Sequence, residues 1–136
     1  VGFGKAAELA QKEMKSRNEH IQQLRDDLLI EILKIPMAQL NGHPLERLPN
    51  NINVTFRGIP NSSLLMELKD LAISTGSACS TGSTEPSHVL RALGLSEEDC
   101  LSTVRISLGK TTTRADIEYA ASRIKEAVFK IKERTF

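Results

Sequence analysis

Two segments alternate apolar and polar residues, Asn51-Ile-Asn-Val-Thr-Phe56 and Thr103-Val-Arg-Ile-Ser-Leu108, and they constrain the fold more than any other part of the chain. Successive side chains of a strand point to opposite faces, so each segment reads as a half-buried strand. Ile52, Val54 and Phe56 share one face of the first, against Asn53 and Thr55. Val104, Ile106 and Leu108 share one face of the second, which turns Arg105 and Ser107 the other way. A sheet with one apolar face has to bury it, and the rest of the chain supplies helices for the purpose.

Residues 3–35 are helical by pattern. Ala6, Ala7, Leu9, Ala10 and Met14 form one stripe, and Ile21, Leu24, Leu28, Ile32 and Ile35 form a second. Ser16-Arg-Asn-Glu19 has capping-box spacing, so the segment is either two helices or one bent helix, closed by Pro36. Met37 to Asn51 reads as a connector. Gly58 and Pro60 end the first strand, and Asn61 or Ser62 is expected to cap a helix with Leu64, Leu65, Leu68 and Leu71 inside. Leu71-Ala-Ile-Ser74 reads as a short strand, and Ser87 to Leu93 as a short helix ended by Gly94. Ser96-Glu-Glu-Asp99 starts another turn, and Thr113-Arg-Ala-Asp116 caps a long helix with Ile117, Ala120, Ala121, Ile124, Val128 and Ile131 along its stripe. Strands separated by helices predict an α/β (α+β) domain with a small three-stranded sheet packed against helices.

The 136 residues suit one domain, and a net charge of +1 leaves no electrostatic footprint for nucleic acid or an anionic membrane. Neither a membrane-length apolar run nor a signal-peptide pattern is present. Cys79 and Cys100 are too few for a disulfide scaffold and lack metal-ligand spacing, so a reducing, cytoplasmic setting and no metal site are expected. The chain opens at Val1 rather than Met and runs straight into a helical pattern, which suggests a piece of a longer polypeptide.

Chemistry concentrates around Cys79. It sits in Ser74-Thr-Gly-Ser-Ala-Cys-Ser-Thr-Gly-Ser-Thr-Glu-Pro-Ser87, where eight of fourteen residues are Ser or Thr and two are Gly. Such a stretch reads as a mobile, solvated loop that can present a thiol and withdraw it. A free thiol titrates near 8.5, and no Lys, Arg or His stands within five residues to activate it. Arg105 is the second candidate, since a planar guanidinium binds a carboxylate bidentately. His20, His43 and His88 read as surface histidines and Cys100 as a packing thiol. None of the lysines stands in a context that suggests covalent catalysis, and no Walker, dinucleotide or metalloprotease motif occurs.

Together these strings resemble a known family. The run from Ser74 through His88-Val-Leu-Arg-Ala-Leu-Gly94 resembles the active-site loop of NifS/IscS-type cysteine desulfurases, in the group with the longer cysteine loop. Thr103-Val-Arg-Ile-Ser-Leu-Gly-Lys-Thr-Thr-Thr113, Pro49 to Phe56, Leu64 to Leu71 and Gly2 to Ala7 resemble that family's segments in the same order. The resemblance implies the C-terminal small domain of a pyridoxal-phosphate fold-type I enzyme. Residues 1–35 would be connecting helices from the cofactor domain, and residues 36–136 the small domain with its catalytic loop at 74–87.

In that family pyridoxal phosphate holds L-cysteine in a large domain while a loop cysteine takes the sulfur as a persulfide and leaves alanine. By resemblance Cys79 is that nucleophile and Arg105 the clamp for the substrate carboxylate. The family's cofactor-binding lysine lies in a Ser-x-His-Lys context, and no Lys here follows a His. No cofactor-binding residue is therefore assigned in this chain, and alone it is expected to be inactive and to bind no cofactor. Partners implied for the full enzyme are L-cysteine, a sulfur acceptor such as an iron–sulfur scaffold, and a second copy in a homodimer. Two alternatives stay open: a selenocysteine lyase of the same fold, and a stand-alone sulfur-carrier or interaction module without the cofactor domain.

Overall fold

A computed structural model describes residues 1–75 and 87–135. Helix α1 (Gly2–Leu33) leads to strand β1 (Ala38–Leu40), β2 (Asn51–Phe56), helix α2 (Asn61–Glu67) and β3 (Ile73–Ser74). Helices α3 (His88–Ala92) and α4 (Glu97–Leu101), strand β4 (Thr103–Ser107) and helix α5 (Arg114–Thr135) follow. The strands form one antiparallel sheet in the order β1-β2-β4-β3.

The sheet has four strands where the sequence suggests three. Ala38-Gln-Leu40, inside the expected connector, pairs with the outer edge of β2, Ala38 opposite Phe56 and Leu40 opposite Val54. Three residues are too few to show an alternation, and the pairing satisfies an otherwise open row of β2 backbone groups.

Sheet and helices meet on the expected face. Ile52, Val54, Phe56, Val104, Ile106 and Leu108 are buried against Ile21, Leu24, Leu28 and Ile32 of α1 and Ile117, Ile124, Val128 and Ile131 of α5. Each of these side chains contributes roughly 1.5–3 kcal/mol by leaving water. α1 is one continuous helix. Ser16 Oγ donates to the Glu13 carbonyl at 3.3 Å, so the hydroxyl is spent on the preceding turn instead of opening a new helix. Burial begins at Ile21, whereas Leu9 and Met14 of the first stripe are exposed. Among the described residues no helix is long and apolar enough to cross a membrane.

The helix ends show which capping signals act. Ser96 Oγ accepts from the Asp99 N–H at 3.1 Å. Thr113 and Asp116 cap α5 reciprocally, Thr113 N–H to Asp116 Oδ2 at 2.8 Å and Asp116 N–H to Thr113 Oγ1 at 3.2 Å. Gly94 ends α3 with φ of 82°, a conformation that a side chain resists. At α2 neither expected cap operates; Pro60 holds the N-cap position in an extended conformation with no side-chain hydrogen bond. Asn61 instead donates through Nδ2 to the carbonyls of Cys100 (3.4 Å) and Thr103 (3.2 Å), tying α2 to the start of β4.

Polar contacts also anchor α5 to the end of α2 and the segment after it. Glu67 accepts from Lys130 at 2.6 Å and Arg134 at 2.8 Å, and Asp70 accepts from Tyr119 at 2.6 Å and Arg123 at 3.1 Å. The hydrogen bond from Arg123, then that from Tyr119, lowers the Asp70 carboxyl from 3.8 to about 2. A carboxyl depressed in the folded state stabilises above its unfolded value and loses that contribution as pH falls through the folded value. Between about pH 4 and pH 2 the melting temperature therefore declines, and Asp70→Asn flattens the decline in far-UV circular-dichroism melts. An unchanged pH profile in that variant would remove Asp70 from the acid response.

Candidate functional site

Opposite its apolar face the sheet presents a polar one. The backbone bonds Phe56 N–H to Ser102 O and Leu108 N–H to Asn50 O, both 2.9 Å, mark hydrogen-bonded rungs at the two ends of the β2–β4 ladder. Alternation then makes Asn53–Arg105 and Thr55–Thr103 the non-hydrogen-bonded pairs, where facing side chains come closest. On the other side of β4, Arg105 stands opposite Ser74 of β3. Asn41, whose N–H bonds the Asn53 carbonyl at 2.9 Å, extends the row past β1. Ser74, Arg105 and Asn53 thus lie side by side across β3, β4 and β2, with Asn41 next to them just past β1.

This row floors a cavity of about 430 Å³. Thr75 and Ser87, the described residues on either side of 76–86, line it together with Ser74 and Arg105. The exposed apolar side chains of Val89 on α3 and Leu93 at its C-cap form one wall, and His43 and Arg47 of the connector form another. Arg105 is exposed and, among the described residues, makes no side-chain hydrogen bond or ion pair. It is a cation at the base of a concave site whose donors are uncommitted among the described residues.

The connector wall is held by arginines. Arg47 donates through Nη2 to the Asn41 carbonyl at 2.6 Å and through Nε to the His43 carbonyl at 3.1 Å. Burial, and next the neighbouring Arg25 charge, push the Arg47 guanidinium below its ordinary range, while Asp26 partly offsets them. Arg25 is itself 3% exposed, reaches the Leu48 carbonyl at 3.3 Å, and places Nε 2.6 Å from Asp26. His43 is exposed as expected, but its Nδ1 accepts from the N–H groups of Leu45 (3.2 Å) and Glu46 (2.8 Å), organising the turn that carries Arg47.

Arg105 is therefore where the alternation puts it, on the face away from the core. Cys79 lies outside the described residues. His20 and His88 are exposed and outside the cavity lining. Cys100 is buried, and burial pushes its thiol up, as suits a packing thiol. Sequence reasoning missed Asn53, Asn41 and Arg47 as cavity residues. A signal did exist for the first, because Asn is disfavoured in strands and Asn53 shares the alternating face of Thr55.

Among the described residues no group of three or more His, Cys, Asp or Glu side chains is arranged to hold a metal ion. The cavity lining includes no lysine among them, so it supplies no amine for a carbonyl cofactor. Its donors, guanidinium and amide, fit a small carboxylate.

Comparison with known proteins adds a family. Residues 1–120 match the family model for aminotransferase class-V. The chain is 44% identical over 133 residues to the cysteine desulfurase IscS of Methylococcus capsulatus, covering 98% of this chain and 33% of that protein. It is 47% identical over 133 residues to the cysteine desulfurase IscS of Acinetobacter baumannii, with the same coverage of 98% and 33%. The chain thus spans about a third of the length of the curated relatives it matches. Its fold is similar to the X-ray structure of a NifS-like protein from Rickettsia africae, with TM-score 0.82 and 27% identity over 96% of this chain and 34% of that one. DndA from Streptomyces lividans is similar with TM-score 0.57 and 33% identity, over 78% of this chain and 30% of that one.

Proposed function

The chain belongs to the aminotransferase class-V family, and on that premise we propose that it is the substrate-gripping and sulfur-accepting part of a pyridoxal-phosphate-dependent cysteine desulfurase. One observation carries the reading: both described flanks of the Cys79 segment line the same cavity as Arg105. Cys79 stands four residues beyond Thr75 in the sequence.

Arg105 takes the carboxylate of L-cysteine through paired charge-assisted hydrogen bonds and sets its thiol end toward the loop. The Cys79 thiolate takes the substrate sulfur; the new S–S bond forms as the substrate C–S bond breaks. The carbon keeps that electron pair and gains a proton, giving L-alanine and a persulfide on Cys79. Pyridoxal phosphate, when bound, supplies the electron sink for this cleavage. No residue of this chain is assigned to hold it, and residues 1–35 and 36–136 are read as connecting helices and small domain. From Cys79 the sulfur passes to an acceptor protein such as an iron–sulfur scaffold, with two copies of the full-length polypeptide forming the enzyme. A reducing compartment, the cytoplasm, suits a carrier whose thiol must stay free.

The test is direct. The full-length polypeptide is incubated with L-cysteine and its cysteines are mapped by mass spectrometry after alkylation. Extra sulfur on the peptide containing Cys79 is the expected result. Alanine formation with extra sulfur only on Cys100, or on neither cysteine, would overturn the assignment.

A further inference from the structure

Beneath the cavity a chain of buried and part-buried side-chain hydrogen bonds runs from Asp99 to Asn53. The Asp99 carbonyl can only accept, so Thr103 Oγ1, 2.6 Å away, donates to it. Thr103 has then spent its only hydrogen. The 2.7 Å contact between Thr103 and Thr55 hydroxyls must therefore be donated by Thr55. Thr55 has one hydrogen, directed at Thr103 and also within 3.2 Å of Asn41 Oδ1, and it accepts from Asn41 Nδ2 at 2.9 Å. The second hydrogen of Asn41 Nδ2 goes to Asn53 Oδ1, also at 2.9 Å. Reversing the Asn53 amide would set two NH₂ groups against each other.

Asn53 thus turns its oxygen to Asn41, toward β1, and its register partner on the other side is Arg105 of β4. Both residues line the cavity, and Asn53 Nδ2 has no partner among the described residues. Two groups that can only donate stand side by side at the cavity floor. Such a pair matches a carboxylate, whose oxygens only accept, and opposes a carboxamide, which brings its own N–H bonds.

We propose that Asn53 is a second substrate-binding residue, donating through Nδ2 to the carboxylate held by Arg105, with its amide locked in that orientation by the Asn41–Thr55–Thr103 chain. The proposal rests on the reading of Arg105 as the carboxylate clamp. Asn41, Thr55 and Thr103 are positioning residues, acting only through Asn53.

The experiment uses the full-length holoenzyme. Asn53→Asp preserves the shape and the acceptor facing Asn41 but replaces the donor by a carboxylate oxygen. Asn53→Ala removes the donor without adding charge. KM for L-cysteine is expected to rise about tenfold in Asn53→Ala and more in Asn53→Asp, with kcat changed less than about threefold. The dissociation constant of L-alanine, measured by calorimetry, rises in parallel, and discrimination between L-cysteine and L-cysteinamide narrows. A purely structural role would lower the melting temperature and leave KM and L-alanine affinity where they were. If both Asn53 variants keep the parent KM while Arg105→Lys raises it, the Asn53 proposal is overturned and the Arg105 reading stands. If Arg105→Lys also keeps the parent KM, the carboxylate reading fails and takes the Asn53 proposal with it.

Discussion

Replacing Cys79 by serine in the full-length polypeptide is expected to lower desulfuration of L-cysteine by at least about a thousandfold, because the proposed function makes its sulfur the acceptor and not an accessory. A thiol that titrates near 8.5 offers a few per cent thiolate at neutral pH, and sulfur accepts sulfur readily. A serine hydroxyl offers neither the anion nor a persulfide product. The second cysteine does not rescue the reaction: Cys100 is buried on α4 and burial pushes its thiol up, which keeps it both protonated and out of reach. The Cys100→Ala form should accordingly retain the parent turnover. Alanine release measured with L-cysteine distinguishes the two variants in one assay. Parent-like alanine release by Cys79→Ser would mean that the sulfur leaves by a route without this thiol.

How far the sequence anticipates the structure depends on how local each cause is. β2 and β4 are legible because alternation is written residue by residue: Ile52, Val54, Val104 and Ile106 are buried while Arg105 is exposed. The caps at Ser96 and Thr113 are legible because donor and acceptor lie three residues apart. β1 was not, since its three residues form a strand only by pairing with β2. Asn61 has the right chemistry for a cap, and only the fold brings it to the Cys100 and Thr103 carbonyls instead. At the site, Arg105 could be assigned a face from its neighbours. The orientation of Asn53 could not, because it depends on a hydrogen-bond chain that ends on Asp99 of α4, distant in sequence.

Arg105→Ala should act on binding where Cys79→Ser acts on the chemical step. The guanidinium makes no side-chain hydrogen bond or ion pair with other described residues, so its removal leaves the sheet and the melting temperature essentially unchanged. A charge-assisted hydrogen bond in a site contributes roughly 1.5–3 kcal/mol. Its loss corresponds to KM for L-cysteine rising roughly ten- to a hundredfold, at 1.36 kcal/mol per factor of ten. Arg105→Lys retains the charge but not the planar fork, and should fall between the parent and the alanine form. Cysteamine, which lacks the carboxylate, supplies the internal control: whatever weak turnover it shows should be the same in parent and Arg105→Ala. If instead the arginine mattered equally for both compounds, it would be serving something other than the carboxylate. The polar row would then have to be reinterpreted as a support for the loop, through Ser74, rather than as a grip on the substrate.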